Sequence, residues 1–404
     1  MIQHPKGWRI KSLEDVAEVR TGVAKGKTDI KDPVSLPYLR VANVQDGHLD
    51  LSEIKMIQVA RGEIERYRLH AGDVVLTEGG DLDKLGRGHI WRGQIDPCLH
   101  QNHVFAVRLA GGVLKPEFLT LLTASSPGRR YFLGCAKRTT NLASINATQL
   151  RQFPVLVPPP REQERLCSLF AEWDASVCCA TARLAASRSR KRGLMQQLLT
   201  GKTRFKEFKG ERWRTYRLGE LFTERVEIGR TDLPLVAITG QNGVVPRDSL
   251  AKRDSSSEDK SKYLRITPGD IGYNTMRMWQ GVAGLSKIEG IVSPAYTICI
   301  PSEKIDGQFA AFLFKHLPVV HLFRRFSQGL VDDTLSLKFP NFAQIRVTIP
   351  SVEEQRRIAT VLFACDREIE LLKKQLDALK EQKRGLMQKL LTGEVRVKVP
   401  KEVK

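Results

Sequence analysis

Lys191-Arg-Gly-Leu-Met-Gln-Gln-Leu-Leu-Thr-Gly201 recurs as Lys383-Arg-Gly-Leu-Met-Gln-Lys-Leu-Leu-Thr-Gly393, ten of eleven positions being identical at an offset of 192 residues. The offset runs upstream without a gap. Pro158-x-x-x-Glu162-Gln163-x-Arg165 matches Pro350-x-x-x-Glu354-Gln355-x-Arg357, and the alternating Phe153-x-Val155-x-Val157 matches Ile345-x-Val347-x-Ile349. A repeat of this kind organises the reading of everything around it. The duplicated unit is a short strand, a proline turn and a helix.

The helix has a seam. Its apolar positions are Leu166, Phe170, Trp173, Val177, Ala180 and Leu184, resuming at Leu194 and Leu198. The second copy gives Ile358, Leu362, Cys365, Ile369, Leu372, Leu376 and Leu379, then Leu386 and Leu390. Steps of three and four average the 3.5-residue period of a coiled coil. Proline before each helix and glycine after Leu-Leu-Thr are start and stop signals. About 40 residues of helix give roughly 60 Å of length. A narrow seam needs a partner, and the other copy, folded back antiparallel, is the expected one; the alternative lays each helix on its own domain. Gly193 and Gly385 sit inside the helices, where glycine costs about 1 kcal/mol relative to alanine. Their presence in both copies suggests close approach of another backbone, from the sister helix or a partner subunit.

Further upstream the halves correspond with gaps. Trp8-Arg9 followed by Leu13 pairs with Trp213-Arg214 followed by Leu218, and Ala71-Gly-Asp-Val74 pairs with Pro268-Gly-Asp-Ile271. The expected order is a recognition-type domain over 1–157, a repeated helix over 158–204, a second domain over 205–349, and a second helix with its tail over 350–404. The fold class is α+β: two globular α/β domains separated by two long antiparallel coiled-coil helices, an internal pseudo-two-fold repeat.

The two domains share a frame and differ in the middle. After the Gly-Asp turn and a short strand, the first carries Thr77-Glu-Gly-Gly-Asp-Leu-Asp-Lys-Leu-Gly-Arg-Gly-His89 and the second Asn274-Thr-Met-Arg-Met-Trp-Gln-Gly-Val-Ala-Gly284. Equivalent places with different chemistry are what two different DNA half-sites require. Arg87, Gln101, Asn102, Asn274, Arg277 and Gln280 are the side-chain types that read guanine and adenine edges. Lys84, Lys137, Arg138, Lys260 and Lys262 suit phosphates. Thr77, His103 and Trp279, in the same stretches, complete the candidate set; the alternative is that these loops are solvated connections.

The composition agrees. In 404 residues, 65 Lys and Arg oppose 45 Asp and Glu, a net charge of +20. Such a balance argues for a polyanionic partner, nucleic acid first and an acidic membrane surface second. Seven scattered cysteines without Cys-x-x-Cys read as free thiols of a reducing compartment. The pairs His100/His103 and His316/His321 lack further ligands at metal-like spacing, so no metal site is expected. Met1–Ile10 is polar, and the apolar stretch Phe309–Phe323 is broken by Lys315, His316 and Pro318. The expectation is a soluble cytoplasmic chain with no membrane segment.

Tests for catalysis come out negative. Thr21-Gly-Val-Ala-Lys-Gly-Lys-Thr28 spaces its glycines one residue short of a phosphate loop and reads as a turn. Asp46 with Glu53-Ile-Lys55 faintly suggests a nuclease set but has no counterpart in the second half. Methyltransferase glycine loops, Asn/Asp-Pro-Pro-aromatic and G-x-S-x-G motifs are missing from the sequence. No catalytic residue is expected.

At this point the residues resemble a known family. The order domain–helix–domain–helix, P-x-x-x-E-Q at each helix start and K-R-G-L-M-Q-x-L-L-T-G at each end resemble the specificity subunit of type I restriction–modification systems. Tyr38-Leu-Arg-Val-Ala-Asn-Val-Gln-Asp-Gly47, Gly72-Asp73, Gln101-Asn-His-Val104 and Tyr273-Asn-Thr-Met-Arg-Met-Trp-Gln-Gly281 look like that family's recognition domains. The resemblance spans nearly the whole chain. It implies an asymmetric bipartite double-stranded DNA target, two methylation subunits carrying S-adenosylmethionine, and two restriction subunits using ATP and Mg. It also implies that this chain binds no cofactor itself. Helix-pairing or partner positions would be Leu166, Phe170, Trp173, Val177, Leu184, Gly193, Leu194, Leu198, Ile358, Leu362, Ile369, Leu372, Leu376, Gly385, Leu386 and Leu390. A related system cutting on both sides of its site, and a coiled-coil scaffold with no DNA role, are the alternatives.

Overall fold

The structure, a computed structural model, describes residues 5–26, 28–80, 85–138, 143–240, 243–250, 257–331 and 334–399. The chain forms two compact units, Met1–Thr181 with Gln375–Lys404, and Ala182–Lys374. Two long helices, Pro160–Leu198 and Val352–Leu391, each contribute one half to each unit.

The first unit is built on a four-stranded antiparallel sheet in the order Ala17–Thr21, Val104–Leu109, Val74–Thr77, Gly88–Ile90. Val74–Thr77 is buried at every position, as an apolar strand covered on both faces must be. One face packs against Phe118, Leu122, Phe132 and Phe153; the other faces a second cluster around Leu39, Trp91 and Cys98. A three-stranded sheet of Lys55–Ala60, Pro33–Leu39 and Leu99–His100 adjoins it. Thr21–Thr28 passes into the strand Pro33–Leu39 with no helix after it, so it lacks the strand–loop–helix context of a phosphate loop.

The second unit repeats this plan. Its four-stranded sheet runs Phe222–Glu224, Tyr296–Pro301, Ile271–Asn274, Ala283–Leu285, around a core of Phe222, Tyr273, Phe309, Phe314, Phe323 and Phe342. In both units the Gly-Asp turn is a corner locked from inside. Gly72 and Gly269 have φ of 97°, which glycine tolerates. Buried Asp73 accepts from His70 N and forks with Arg108 at 2.8 and 2.7 Å; buried Asp270 accepts from Thr267 N and pairs with Arg225 at 2.8 Å.

A strand at the start of each half seals it. Arg9–Ser12 pairs with Pro154–Val157, and Arg214–Arg217 with Arg346–Ile349. The proline turn then turns each chain into its long helix. Within the first unit Lys383 pairs with Asp174, and Met387 and Leu390 share the core of Leu166 and Phe170. Within the second, Lys191 meets Asp366 at 2.5 Å, Arg190 pairs with Glu368, and Leu198 shares the core of Ile358 and Leu362. Rising numbers on one helix meet falling numbers on the other, so the helices run antiparallel. Leu166, Phe170, Leu184, Leu198, Ile358, Leu362, Leu372, Leu376 and Leu390 are buried, while Trp173, Val177, Leu194, Ile369 and Leu386 are half-buried.

One expectation is corrected here. A Cβ added at Gly193 or Gly385 would meet nothing within 4 Å among the described residues, so the sister helix does not make the close approach, and the partner-subunit alternative stands as it was.

Candidate nucleic-acid interface

In the first unit the candidate residues gather where the central strand ends. Thr77 N donates to Arg87 O at 3.0 Å, and Glu78 N donates to His103 O at 3.0 Å. Gly79–Gly80 pairs with Ala143–Ser144, which pairs with Lys137–Arg138. This small sheet joins the Thr77 loop, the Gln101–His103 turn and the basic hairpin at one end of the domain. The turn is itself clamped from beneath: Gln101 N donates to Leu39 O at 2.9 Å and Asn102 N to Val23 O at 3.0 Å.

Within that end the residues differ in availability. Lys137 is exposed; Gln101 and Asn102 are half-buried. His103 is exposed, its Nδ1 against the Glu78 carboxylate. Arg87 is half-buried, and its Nε has no hydrogen-bond partner among the described residues. That nitrogen is itself sealed from solvent, so any contact with an anion or base edge would fall to the outer guanidinium nitrogens. Thr77 is a correction: it is fully buried and its hydroxyl turns back onto Arg87 O at 3.4 Å. It shapes the loop and presents no group to a partner. Lys84 lies outside the described residues, as does the side chain of Arg138.

The second unit uses the same strand end. Asn274 closes the strand Ile271–Asn274, and its Oδ1 accepts from Met276 N at 3.0 Å, while its amide hydrogens have no partner among the described residues. The turn that follows presents exposed Arg277 and Gln280, and ends at Gly281 with φ 75°. Trp279 is half-buried; its Nε1 donates to Met276 O at 3.1 Å, and the Arg324 guanidinium lies 5.3 Å from its ring centroid. Asn274 and Lys262 line a cleft of about 800 Å³ together with Thr239, Arg247, Ser293 and Tyr296. Lys260 stands half-buried at the turn before it. Thr239, Arg247, Tyr296 and Arg324 were not legible as candidates, because they come from two strands, a 3-10 turn and a helix away in sequence from the Gly-Asp landmark.

The P-x-x-x-E-Q repeat gains a role that the spacing alone did not show. Buried Glu162 accepts from Trp8 Nε1 at 2.9 Å and from Arg396 Nε and Nη2, both at 2.6 Å. Buried Glu354 accepts from Trp213 Nε1 at 3.2 Å and from Arg204 Nε and Nη2 at 2.9 and 2.5 Å. These carboxylates hold the Arg396 and Arg204 guanidinium groups above their ordinary pKa. Gln163 takes Lys115 N and donates to Val113 O and Pro158 O; Gln355 takes Asp306 N and donates to Lys304 O and Pro350 O. Each helix start is therefore bolted to its own domain by the same set of bonds. The signal for the arginines was present, as Leu-Leu-Thr-Gly-x-x-Arg ends at both 204 and 396.

Among the described residues, no group of three or more His, Cys, Asp or Glu is placed to hold a metal ion, and no helix is long and apolar enough to cross a membrane.

A putative type I restriction enzyme MjaX specificity subunit from Methanocaldococcus jannaschii is 25% identical over 419 residues, covering 98% of this chain and 95% of that protein. The crystal structure of a type I restriction–modification S subunit from M. genitalium superposes with a TM-score of 0.54 at 13% identity, over 96% of this chain and 97% of that one. That of the HsdS subunit from Thermoanaerobacter tengcongensis gives 0.51 at 17% identity, over 97% and 98%. At such identities the two structures speak to the fold alone. The model of the type I restriction modification DNA specificity domain matches twice, at residues 5–177 and 211–381, once on each half of the repeat, and the chain belongs to that family.

Proposed function

We propose that this chain is the DNA-specificity subunit of a type I restriction–modification complex and reads an asymmetric bipartite site in double-stranded DNA. One observation carries the reading: the frame is duplicated down to individual hydrogen bonds, while the loops at the ends of the central strands carry different chemistry. Trp8–Glu162–Arg396 and Trp213–Glu354–Arg204 are copies. Thr77–His89 and Asn274–Gly284 are not. A duplicated frame with unlike readers is the protein counterpart of a target with two unlike halves.

In this reading Arg87, Gln101, Asn102, Asn274, Arg277 and Gln280 face base edges, and Lys137, Lys260 and Lys262 face phosphates. The domains are taken as 1–157 and 205–349, with the repeated helices 158–204 and 350–404 as spacer. Two methylation subunits dock on the helices and domains, and two restriction subunits join for cleavage. S-adenosylmethionine, ATP and Mg belong to those partners, and this chain supplies recognition without chemistry. Gly193 and Gly385 offer main chain to a partner subunit.

The test is a genome-wide map of methylated bases in the host, in a strain lacking this gene, and in that strain with the gene restored. A single bipartite motif that loses methylation and regains it bears the reading out. For a silent system, the purified complex is assayed for salt-dependent, sequence-selective duplex binding. Absence of both defeats the reading and leaves a scaffold.

A further inference from the structure

In each unit a cleft opens between the edge strand of the four-stranded sheet, a helix of the domain and the long helices. The first, of about 550 Å³, is lined by Gly88, His89 and Ala124 with Asp174, Lys380 and Lys383. The second, of about 470 Å³, is lined by Gly284, Lys287 and Lys315 with Lys191, Asp366 and Lys373. One feature is copied: Lys383 pairs with Asp174 and Lys191 with Asp366, at the 192-residue offset of the repeat.

The walls differ. Pro127 and Pro318 each open the next helix of their domain, and three residues before them stand Ala124 in the first unit and Lys315 in the second. In the second cleft both lining carboxylates are already taken, Asp366 by Lys191 at 2.5 Å and Glu370 by Lys374 at 2.9 Å. Lys287 lies over the Phe363 ring, and Lys287, Lys315 and Lys373 have no acid partner of their own among the described residues. Lys315 is half-buried; burial and the Lys191 ammonium depress its pKa more than the paired Asp366 restores it.

Lys315 also stands directly behind the reading turn. A Cβ on Gly281, which closes that turn, would come 3.1 Å from Phe314 O and 3.8 Å from Lys315 Cα. The turn itself presents exposed Arg277 and Gln280. A half-buried ammonium without an anion is costly, and a cleft that gathers three unpaired lysines at the root of a base-reading surface is completed by a negative charge.

We infer that this cleft seats a backbone phosphate of the DNA bordering the second half-site, held by Lys315 with Lys287 and Lys373. The inference rests on the reading of the chain as a DNA-specificity subunit. The major groove is only about 12 Å wide, so phosphates along its border lie close to a turn whose side chains touch base edges. Lysine is a point charge that suits a phosphate and lacks the planar fork that reads a base. Such a contact fixes register and carries no sequence information. The first unit has Ala124 in place of this ammonium, so the contact belongs to the second half-site alone.

The experiment uses the methylating complex assembled with the full chain, as wild type, Lys315→Met and Lys373→Ala. Binding is measured to the target duplex, to mismatched duplexes, and to target duplexes in which single phosphates flanking either half-site are replaced by uncharged methylphosphonates. At one position beside the second half-site the wild type loses on the order of tenfold in affinity, the worth of one hydrogen bond to a charged group. Lys315→Met loses a similar factor on target and mismatched duplexes alike and is indifferent to that replacement. Its slope of log affinity against log salt falls by about 0.9. Lys373→Ala, at an exposed position, shows a reduced response at the same phosphate, and it decides the matter if Lys315→Met does not fold. Methylphosphonate profiles and salt slopes identical in wild type and variants overturn the inference. So does a loss that depends on the bases, or one confined to the first half-site. If the variants lose assembly with the methylation subunit while the assembled complex binds DNA as wild type does, the cleft belongs to an acidic segment of that subunit, and the inference falls. If inorganic phosphate raises the thermal midpoint of wild type and not of Lys315→Met, while their methylphosphonate profiles agree, the cleft takes free phosphate, and the inference falls again. A wild-type complex without salt-dependent duplex binding defeats the underlying reading, and that result is distinct from the others.

Discussion

Arg396 forks onto Glu162 through two hydrogen bonds of 2.6 Å across 234 residues of sequence, and Arg204 does the same to Glu354 in the other unit. The tail that follows the second long helix thus holds the start of the first, just as the link after the first helix holds the start of the second. The carboxylates are buried and the tryptophan indoles close over them, so each clip is a small network and not a surface ion pair.

Removing Arg396 should therefore cost more than an exposed ion pair would. Arg396→Ala leaves Glu162 buried with only the Trp8 indole, and we expect a loss of about 2–3 kcal/mol, softened by water reaching the half-exposed arginine site. Glu162→Gln keeps the indole bond and should cost less. Urea unfolding of the two variants checks the order; an Arg396→Ala protein as stable as wild type sinks the clip.

His100 makes the first unit acid-sensitive. It is fully buried with Nδ1 2.5 Å from Val104 O, and burial pushes its pKa down from 6.5 to about 4. Between those values the unfolded chain holds a proton that the folded chain refuses, so stability rises with pH across that window. The full effect is on the order of 3 kcal/mol, present above pH 6.5 and lost as pH falls toward 4. Denaturant midpoints measured from pH 7.5 to 4 should show the slope in wild type and a flatter line in His100→Gln.

The readers of the two halves should fail separately. Arg277→Ala or Gln280→Ala weakens selection at the second half-site by on the order of 10- to 100-fold and leaves the first intact; Arg87→Ala does the reverse. Lys262→Ala weakens binding to all sequences alike and lowers the slope of log affinity against log salt by about one. Binding titrations over duplexes mutated in one half at a time separate these cases. A base-specific loss from Lys262→Ala would remove it from the phosphate set.

If the long helices act as a ruler between the two half-sites, lengthening one should lengthen the spacer. Pro160–Leu198 is unbroken. Four residues inserted near Ala185 add about 6 Å of helix, close to two base-pair rises of about 3.4 Å. The methylated motif of the insertion variant should show a spacer longer by one or two base pairs. An active variant with an unchanged spacer ends the idea.

Helix, seam and repeat were readable from the chain because they depend on local periodicity: Leu166 to Leu198 and Ile358 to Leu390 follow a 3.5-residue rhythm that no fold is needed to see. The Gly-Asp corners were readable as landmarks for the same reason, since a glycine at φ 97° is a local demand. What sequence could not decide was which polar residues face inward. Thr77 and Asn274 occupy the same strand end, yet one is sealed against Arg87 O and the other opens on a cleft with Arg247 and Tyr296. Glu162 and Gln163 were visible as a repeated pair, but their partners Arg396, Trp8 and Val113 come from three distant segments. The repeat and its period were thus settled by the sequence alone, because neighbours along the chain set them. The clips, and the Arg87 nitrogen buried without a partner among the described residues, were decided only by tertiary structure, because burial and hydrogen-bond partners are properties of segments brought together from afar.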